Sequence, residues 1–165
     1  MSSTFGLTEF CDDIRDEVDG KKSLIGVYTG DLFVDRGFPA IIPQLAVYVT
    51  LVEPFDQSRE PVTVKVFVPG EKADQVIVDV DLPVDRFERA DNISDSECLY
   101  SVLSFRMTPL LIFREGRIKV RAYKGSEEIK LGTILATDRR TPVPMSIPLE
   151  LDRTSKTRRK KKSKS

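Results

Sequence analysis

A short apolar run near the start of the chain reads Lys22-Ser23-Leu24-Ile25-Gly26-Val27-Tyr28. It follows a turn signal, Asp19-Gly20, and leads past Gly30 into Leu32-Phe33-Val34. β-Branched and aromatic residues favour pleated strands, and glycines commonly mark the ends of such strands. The run therefore predicts a buried strand near the start of an all-β domain. If Val27 lies inside that strand, Val27→Asp should unfold the protein.

The strongest strand signal lies further along, from Leu45 to Val52. Both of its faces are largely apolar: one carries Leu45, Val47, Val49 and Leu51, the other Ala46, Tyr48, Thr50 and Val52. Apolar side chains on both faces are typical of a central strand. The segments 62–68 and 76–82 alternate apolar with polar residues, which predicts two strands that each place one face in the core.

The second half of the chain predicts further strands. The first lies near Leu99 to Met107, after an acidic connection at 84–97. A meander of three antiparallel strands follows at 110–114, 117–123 and 128–137. Gly132 interrupts the alternation of the last strand, which predicts a bulge there. All ten prolines fall between strands or at their ends, where a missing N–H does no harm to a ladder.

These segments amount to about nine strands joined mostly by short turns. They predict an antiparallel Greek-key β-sandwich of the immunoglobulin-like class, with a barrel as the alternative. Residues 7–18 leave two interpretations open, because Phe10, Ile14 and Val18 recur at helical spacing. We favour a strand from Leu7 to Asp16, paired with the run that contains Val27, because the Asp-Gly turn between them suits a hairpin.

Charge divides the 165-residue chain in two. Residues 153–165 carry 8 of the 26 Lys and Arg residues and no acid, so residues 1–152 retain 18 basic against 26 acidic residues, a balance of −8. We predict one β-sandwich domain, residues 1–152, and a disordered Lys/Arg-rich tail, residues 153–165. The start of the chain resembles no secretory signal, and no apolar run approaches the roughly 18 residues of a membrane helix. These features predict a cytoplasmic protein without a membrane span.

Several kinds of chemistry are missing from the sequence. There is no histidine, which is the usual general base near neutral pH and the commonest zinc ligand. The glycines form neither a phosphate-binding loop nor a dinucleotide fingerprint, so we expect no cofactor. Cys11 and Cys98 lack the spacing of zinc or redox pairs, and we expect two separate reduced thiols.

Two acidic groups are candidates for binding a calcium ion. Neither has the residue order of a calcium loop, so a solvated acidic surface is the favoured interpretation. The groups are Asp12, Asp13, Asp16, Glu17 and Asp19, and Asp79, Asp81, Asp85, Asp91 and Asp95.

Two groups of basic residues are candidate contacts for an anionic partner. The weaker is a strip of Arg117, Lys119 and Arg121 on one face of a predicted strand, which the acids at 115, 127 and 128 are close enough to neutralise. The other lies in the tail, and its candidate contacts are Arg158, Arg159, Lys160, Lys161, Lys162 and Lys164. The tail has no aromatic residue to stack on bases, so its binding to nucleic acid or an anionic surface would be independent of sequence and sensitive to salt. The alternative is a tail that folds back loosely on the acidic body.

The N-terminal region resembles an uncharacterised bacterial family that is classed as a domain of unknown function. The resemblance rests on three segments: Cys11-Asp12-Asp13-Ile14-Arg15-Asp16-Glu17, then Gly20-Lys21-Lys22-Ser23-Leu24-Ile25-Gly26-Val27-Tyr28, then Phe38-Pro39-Ala40. It covers about residues 10–40. The resemblance implies a bacterial β domain, cytoplasmic or phage-associated, and brings no activity and no site residues.

These observations predict a non-enzymatic binding or structural module with a protein partner. The alternative is a nucleic-acid-associated protein that contacts the phosphate backbone through its basic tail. The second alternative is a hydrolase that works through a pair of carboxylates.

Overall fold

The computed structural model describes residues 4–54, 60–82 and 98–138, and these residues form an all-β structure. The one helical segment in these ranges is a single 3₁₀ turn at Val18–Gly20. The twelve strands are β1 (Phe5–Cys11), β2 (Asp13–Asp16), β3 (Lys22–Ile25), β4 (Leu32–Val34), β5 (Ala40–Ile42), β6 (Leu45–Pro54), β7 (Val62–Pro69), β8 (Asp74–Leu82), β9 (Cys98–Met107), β10 (Leu110–Ile112), β11 (Gly116–Lys124) and β12 (Glu127–Asp138). No helix in the described ranges is long and apolar enough to cross a membrane. The prediction of an all-β chain is confirmed.

Two larger sheets contain eight of the strands. One has the order β4-β12-β11-β7-β8 and the other the order β1-β6-β9. Neighbouring strands are antiparallel, except that β4 runs parallel to β12. β6 pairs with β1 on one side and with β9 on the other, as its two apolar faces predict.

The two larger sheets share one apolar core. The inward side chains of β7, Val62, Val64 and Val66, are completely buried, and so are Val47 and Val49 of β6. Full burial of one such side chain contributes roughly 1.5–3 kcal/mol relative to an exposed position. Alternating valines on strands from both sheets therefore hold the two sheets together.

The two larger sheets also meet where β1 lies against β12. A Cβ atom built on Gly132 would lie 2.6 Å from Cβ of Thr8, and one built on Gly6 would lie 2.7 Å from Cδ2 of Leu131. The backbones can approach this closely because both positions lack side chains. The register of β12 against β11 shifts beside Gly132, where Leu131 is the extra residue, so the predicted bulge is confirmed.

Among the described residues, one ion pair is buried. Nζ of Lys124 lies 3.2 Å from Oε1 of Glu53, and both side chains are buried. Glu53 belongs to β6 and Lys124 to β11, so the pair links the two larger sheets. Cys11 and Cys98 are free thiols, as expected, with Cys11 buried and Cys98 partly buried.

The run from Lys22 to Val27 lies outside this core, only Tyr28 packs against it, and the prediction of a buried strand here is wrong. Only Lys22–Ile25 is a strand, β3, and it pairs with β2 in a separate two-stranded sheet. Val27 lies beyond β3 and is 40% exposed. The error has a physical cause: a short apolar run looks the same in sequence whether it fills a core or folds over the outside of a sheet.

One strand boundary and one strand pairing also differ from prediction. The expected strand from Leu7 to Asp16 is divided at Asp12: β1 pairs with β6, and only β2 forms the expected hairpin with β3. The first strand of the predicted meander, β10, pairs with β5 instead of with β11. The three-residue strand β5 is too short to leave an alternation in the sequence.

Replacing Val27 with aspartate is therefore expected to leave the protein folded. An exposed side chain outside the core changes the free energy of unfolding by about 0.5 kcal/mol or less, and urea unfolding followed by circular dichroism measures it. The matched control is Val47→Asp, which places a charge at a completely buried position and should prevent folding. A Val27→Asp protein that fails to fold would contradict the position of this segment.

Candidate interaction surface

The predicted basic strip lies on the outer face of β11, opposite the buried side of that strand. Two of its three residues have acidic partners: Nζ of Lys119 lies 2.8 Å from Oδ2 of Asp74, and Nε of Arg121 lies 3.2 Å from Oε1 of Glu128. The hydrogen bond from Lys119 lowers the pKa of the Asp74 carboxyl. These pairs favour a solvated, charge-balanced face. Sequence reasoning missed Asp74, because its position beside Lys119 depends on how β8, β7 and β11 are aligned.

The third residue of the strip, Arg117, lies apart from these pairs. It lines an open cleft of about 330 Å³ between β1 and β12, together with Glu9 and Asp31. Two carboxylates thus line the same cleft as Arg117. The tail residues 158–164 lie outside the described part of the chain.

The acidic group near the start of the chain holds the β2–β3 hairpin in place. The amide of Ile14 donates a hydrogen bond to Asp13, which lowers the pKa of the Asp13 carboxyl. Nε of Arg106, on β9, lies 3.4 Å from Oδ1 of Asp13, and Asp16 pairs with Lys22. In the described ranges, no three Cys, Asp or Glu side chains form a group that could hold a metal ion. Asp85, Asp91 and Asp95 lie outside these ranges.

Asp12 fixes the other end of the same hairpin. The hydroxyl of Tyr28 donates to Oδ1 of Asp12 over 2.7 Å, and burial together with this carboxylate raises the pKa of Tyr28. A Cβ atom on Gly26, which has φ +66°, would collide with the same carboxylate. The segments 11–17 and 20–28 thus contact each other around Asp12.

The hairpin covers one end of the outer face of the three-stranded sheet. Ile14 of β2 and Leu24 of β3 pack on Cys11, Ala46 and Tyr48, and together they form a second, smaller apolar cluster. Burial raises the pKa of the Cys11 thiol. This end of the face is closed.

The other end of the same face is open. Four apolar side chains, which we call the outer patch, are each half exposed or more: Phe5 at 53%, Leu7 at 50%, Tyr100 at 65% and Val102 at 51%. They stand in two rows across the sheet, because β6 aligns Phe5 with Tyr100 through Val52, and Leu7 with Val102 through Thr50. Apolar side chains that lie together on the surface mark interaction sites more often than single ones do.

Sequence reasoning did not find the outer patch, although part of its signal is visible. β9 carries apolar residues at both parities, with Leu99, Leu103 and Phe105 inward and Tyr100 and Val102 outward. When a strand has apolar residues on both faces, either both faces are covered or one apolar face is exposed to solvent. The sequence does not distinguish the two cases, because β1 and β9 are brought together only by the folded sheet.

In comparisons with known proteins, no family model, no curated protein and no solved structure matches this chain.

Proposed function

We propose that the chain is a non-enzymatic protein-binding module and that its contact surface is the outer patch. The observation that carries the proposal is the exposure of Phe5, Leu7, Tyr100 and Val102 side by side on one sheet face. Leaving such side chains in water costs free energy that contact with a partner recovers, at roughly 25 cal/mol for each Å² of apolar surface covered. Aromatic residues at the centre of such a surface are typical anchors.

The arrangement of the strands supports a sandwich as the scaffold of this module. Two sheets share one core, and the chain passes between them from β6 to β7 and back from β8 to β9. We therefore propose the antiparallel Greek-key β-sandwich of the immunoglobulin-like class as its fold. The cytoplasmic location and the bacterial family resemblance stay predictions.

Site-specific photo-crosslinking tests the proposed function. A photoreactive phenylalanine replaces Tyr100 in one full-length variant and Ile41 in a control, since Ile41 is 70% exposed and lies on β5, in a different sheet from the outer patch. Irradiation of expressing cells is expected to produce an adduct of one discrete mass from position 100 and none from position 41. Adding Val102→Asp should abolish that adduct. Equal labelling from both positions, or no adduct, would refute the proposal.

A second candidate function rests on the basic tail. Because Asp74 and Glu128 pair with the strip on β11, the run from Arg158 to Lys164 is the stronger candidate for contacts with an anionic partner. Its proposed ligand is the phosphate backbone of nucleic acid.

Titration of fluorescent double-stranded DNA at low salt tests the tail. We expect the full chain to bind with a log affinity that falls linearly with log salt, by about 0.9 for each phosphate contacted. A variant with glutamine at all six candidate tail positions is expected to lose this binding, whereas a variant with glutamine at 117, 119 and 121 should retain it. Loss of binding in the second variant, or no binding by the parent, would contradict the role of the tail.

A further inference from the structure

The outermost strands of the two larger sheets differ in how they are protected. β4 has only three residues. β8 carries Asp74, Asp79 and Asp81, and its register against β7 shifts at Ile77. β1 lies close against β12 at the glycine contacts described above. Short length, charge, irregular register and cover are the usual means by which proteins prevent an edge strand from pairing with another chain.

Within the described part of the chain, β9 lacks most of these protections. It is ten residues long, contains no proline and pairs with β6 in unbroken register. Its single charged residue, Arg106, interacts with Asp13 and Asp16 of the β2–β3 hairpin. Among the described strands, β9 pairs with β6 alone, so its other edge offers backbone N–H and C=O groups to a further strand.

The open edge and the outer patch lie side by side. Tyr100 and Val102 belong to β9 itself and point to the outer face of the sheet. A strand added at this edge would therefore form backbone hydrogen bonds with β9 and bring its own side chains against the patch. Main-chain pairing of this kind provides affinity, and the alternating side chains provide specificity.

We propose that the occupant of this edge is β9 of a second copy of the chain, in antiparallel pairing about a two-fold axis at Val102. This inference rests on the proposed function and names the partner of Tyr100 and Val102, the two residues of the outer patch that lie on β9. The product is a continuous six-stranded sheet in which both outer patches lie on the same face. Such an isologous contact uses one surface twice and closes on itself.

β9 is complementary to itself in charge and in pattern. With Val102 opposite its counterpart, Tyr100 stands opposite Ser104, and Arg106 stands opposite the uncharged Cys98. No like charges therefore meet across the axis, where they would oppose pairing. β9 is long, uncharged over most of its length and carries Tyr100 and Val102 on its outer face, so a second copy of it would bring apolar side chains beside its own.

Sedimentation equilibrium of the full chain over a range of concentrations tests the proposal. The parent is expected to approach twice its mass of 18.6 kDa at high concentration. Val102→Asp places two carboxylates opposite each other and should raise the dissociation constant of the dimer at least tenfold. Val27→Asp is the matched control, since Val27 is also exposed but belongs neither to β9 nor to the outer patch, and it should leave the constant unchanged.

Hydrogen exchange of the parent provides a readout that needs no variant. Amides of β9 should exchange more slowly at high than at low protein concentration, while those of β5, which pairs with β10 in a separate sheet, should not change. A parent that stays monomeric, or a dimer that Val102→Asp does not weaken, would overturn the self-association. If position 100 still produces a crosslinked adduct with a different protein, the proposed function survives that failure. If it produces no adduct, both proposals fail.

Discussion

Replacing Glu53 with leucine is expected to lower the free energy of unfolding by about 3–5 kcal/mol, the range typical for breaking a buried ion pair. Lys124 is almost completely buried, and the change removes the carboxylate that lies 3.2 Å from its ammonium group. A charge held in the core without that partner is costly, because the protein interior solvates it far less well than water does. Urea unfolding of the parent and the variant measures the difference.

The double variant Glu53→Leu, Lys124→Met distinguishes the loss of the ion pair from the cost of leaving one charge buried without its partner. With both charges gone, the two sheets meet through apolar side chains, so the double variant should lose much less stability than the sum of the single variants. Lys65→Met is the matched control, since the Lys65–Asp79 pair at 2.9 Å lies on the surface and should contribute about 1 kcal/mol or less. Equal losses from Glu53→Leu and Lys65→Met would contradict a buried role for the pair.

The longer strands could be predicted from sequence because their alternation is local. β6, β7, β8, β9, β11 and β12 all appear as period-two patterns, since one face of each strand enters the core. The bulge beside Gly132 is also a local signal, because the interrupted alternation lies within one strand. Sheet membership is not local, so the run around Val27 looked like a core strand although Val27 itself lies outside the core.

The candidate surface was harder to predict for the same reason. Phe5 and Tyr100 lie 95 positions apart in the chain. They come into one row across the sheet only because β1 and β9 both pair with β6. The partners of Lys119 and Lys124 likewise come from distant strands. The basic tail was visible at once, because a run of like charge is a property of one continuous segment.

Replacing Gly6 with alanine is expected to lower the free energy of unfolding by about 1–3 kcal/mol, the usual cost of overpacking. The added Cβ would lie 2.5 Å from the carbonyl oxygen of Thr50 and 2.7 Å from Cδ2 of Leu131. Leu131 has a side chain that can turn, but Thr50 contributes backbone of the central strand β6. The collision of the added Cβ can therefore be removed only if β1 moves away from β6 or from β12. Such a movement separates the two sheets at the contact between β1 and β12.

Gly30→Ala is the control that separates this contact from the general effect of removing a glycine. No atom lies within 4 Å of a Cβ at position 30, so alanine there should leave stability unchanged or raise it by up to about 1 kcal/mol through the unfolded state. Thermal and urea unfolding of both variants measure the contrast. If Gly6→Ala were as stable as Gly30→Ala, β1 would not be confined between β6 and β12. The outer patch would then lack its rigid first strand, because Phe5 and Leu7 flank Gly6 on β1 and depend on that confinement for their positions beside Tyr100 and Val102.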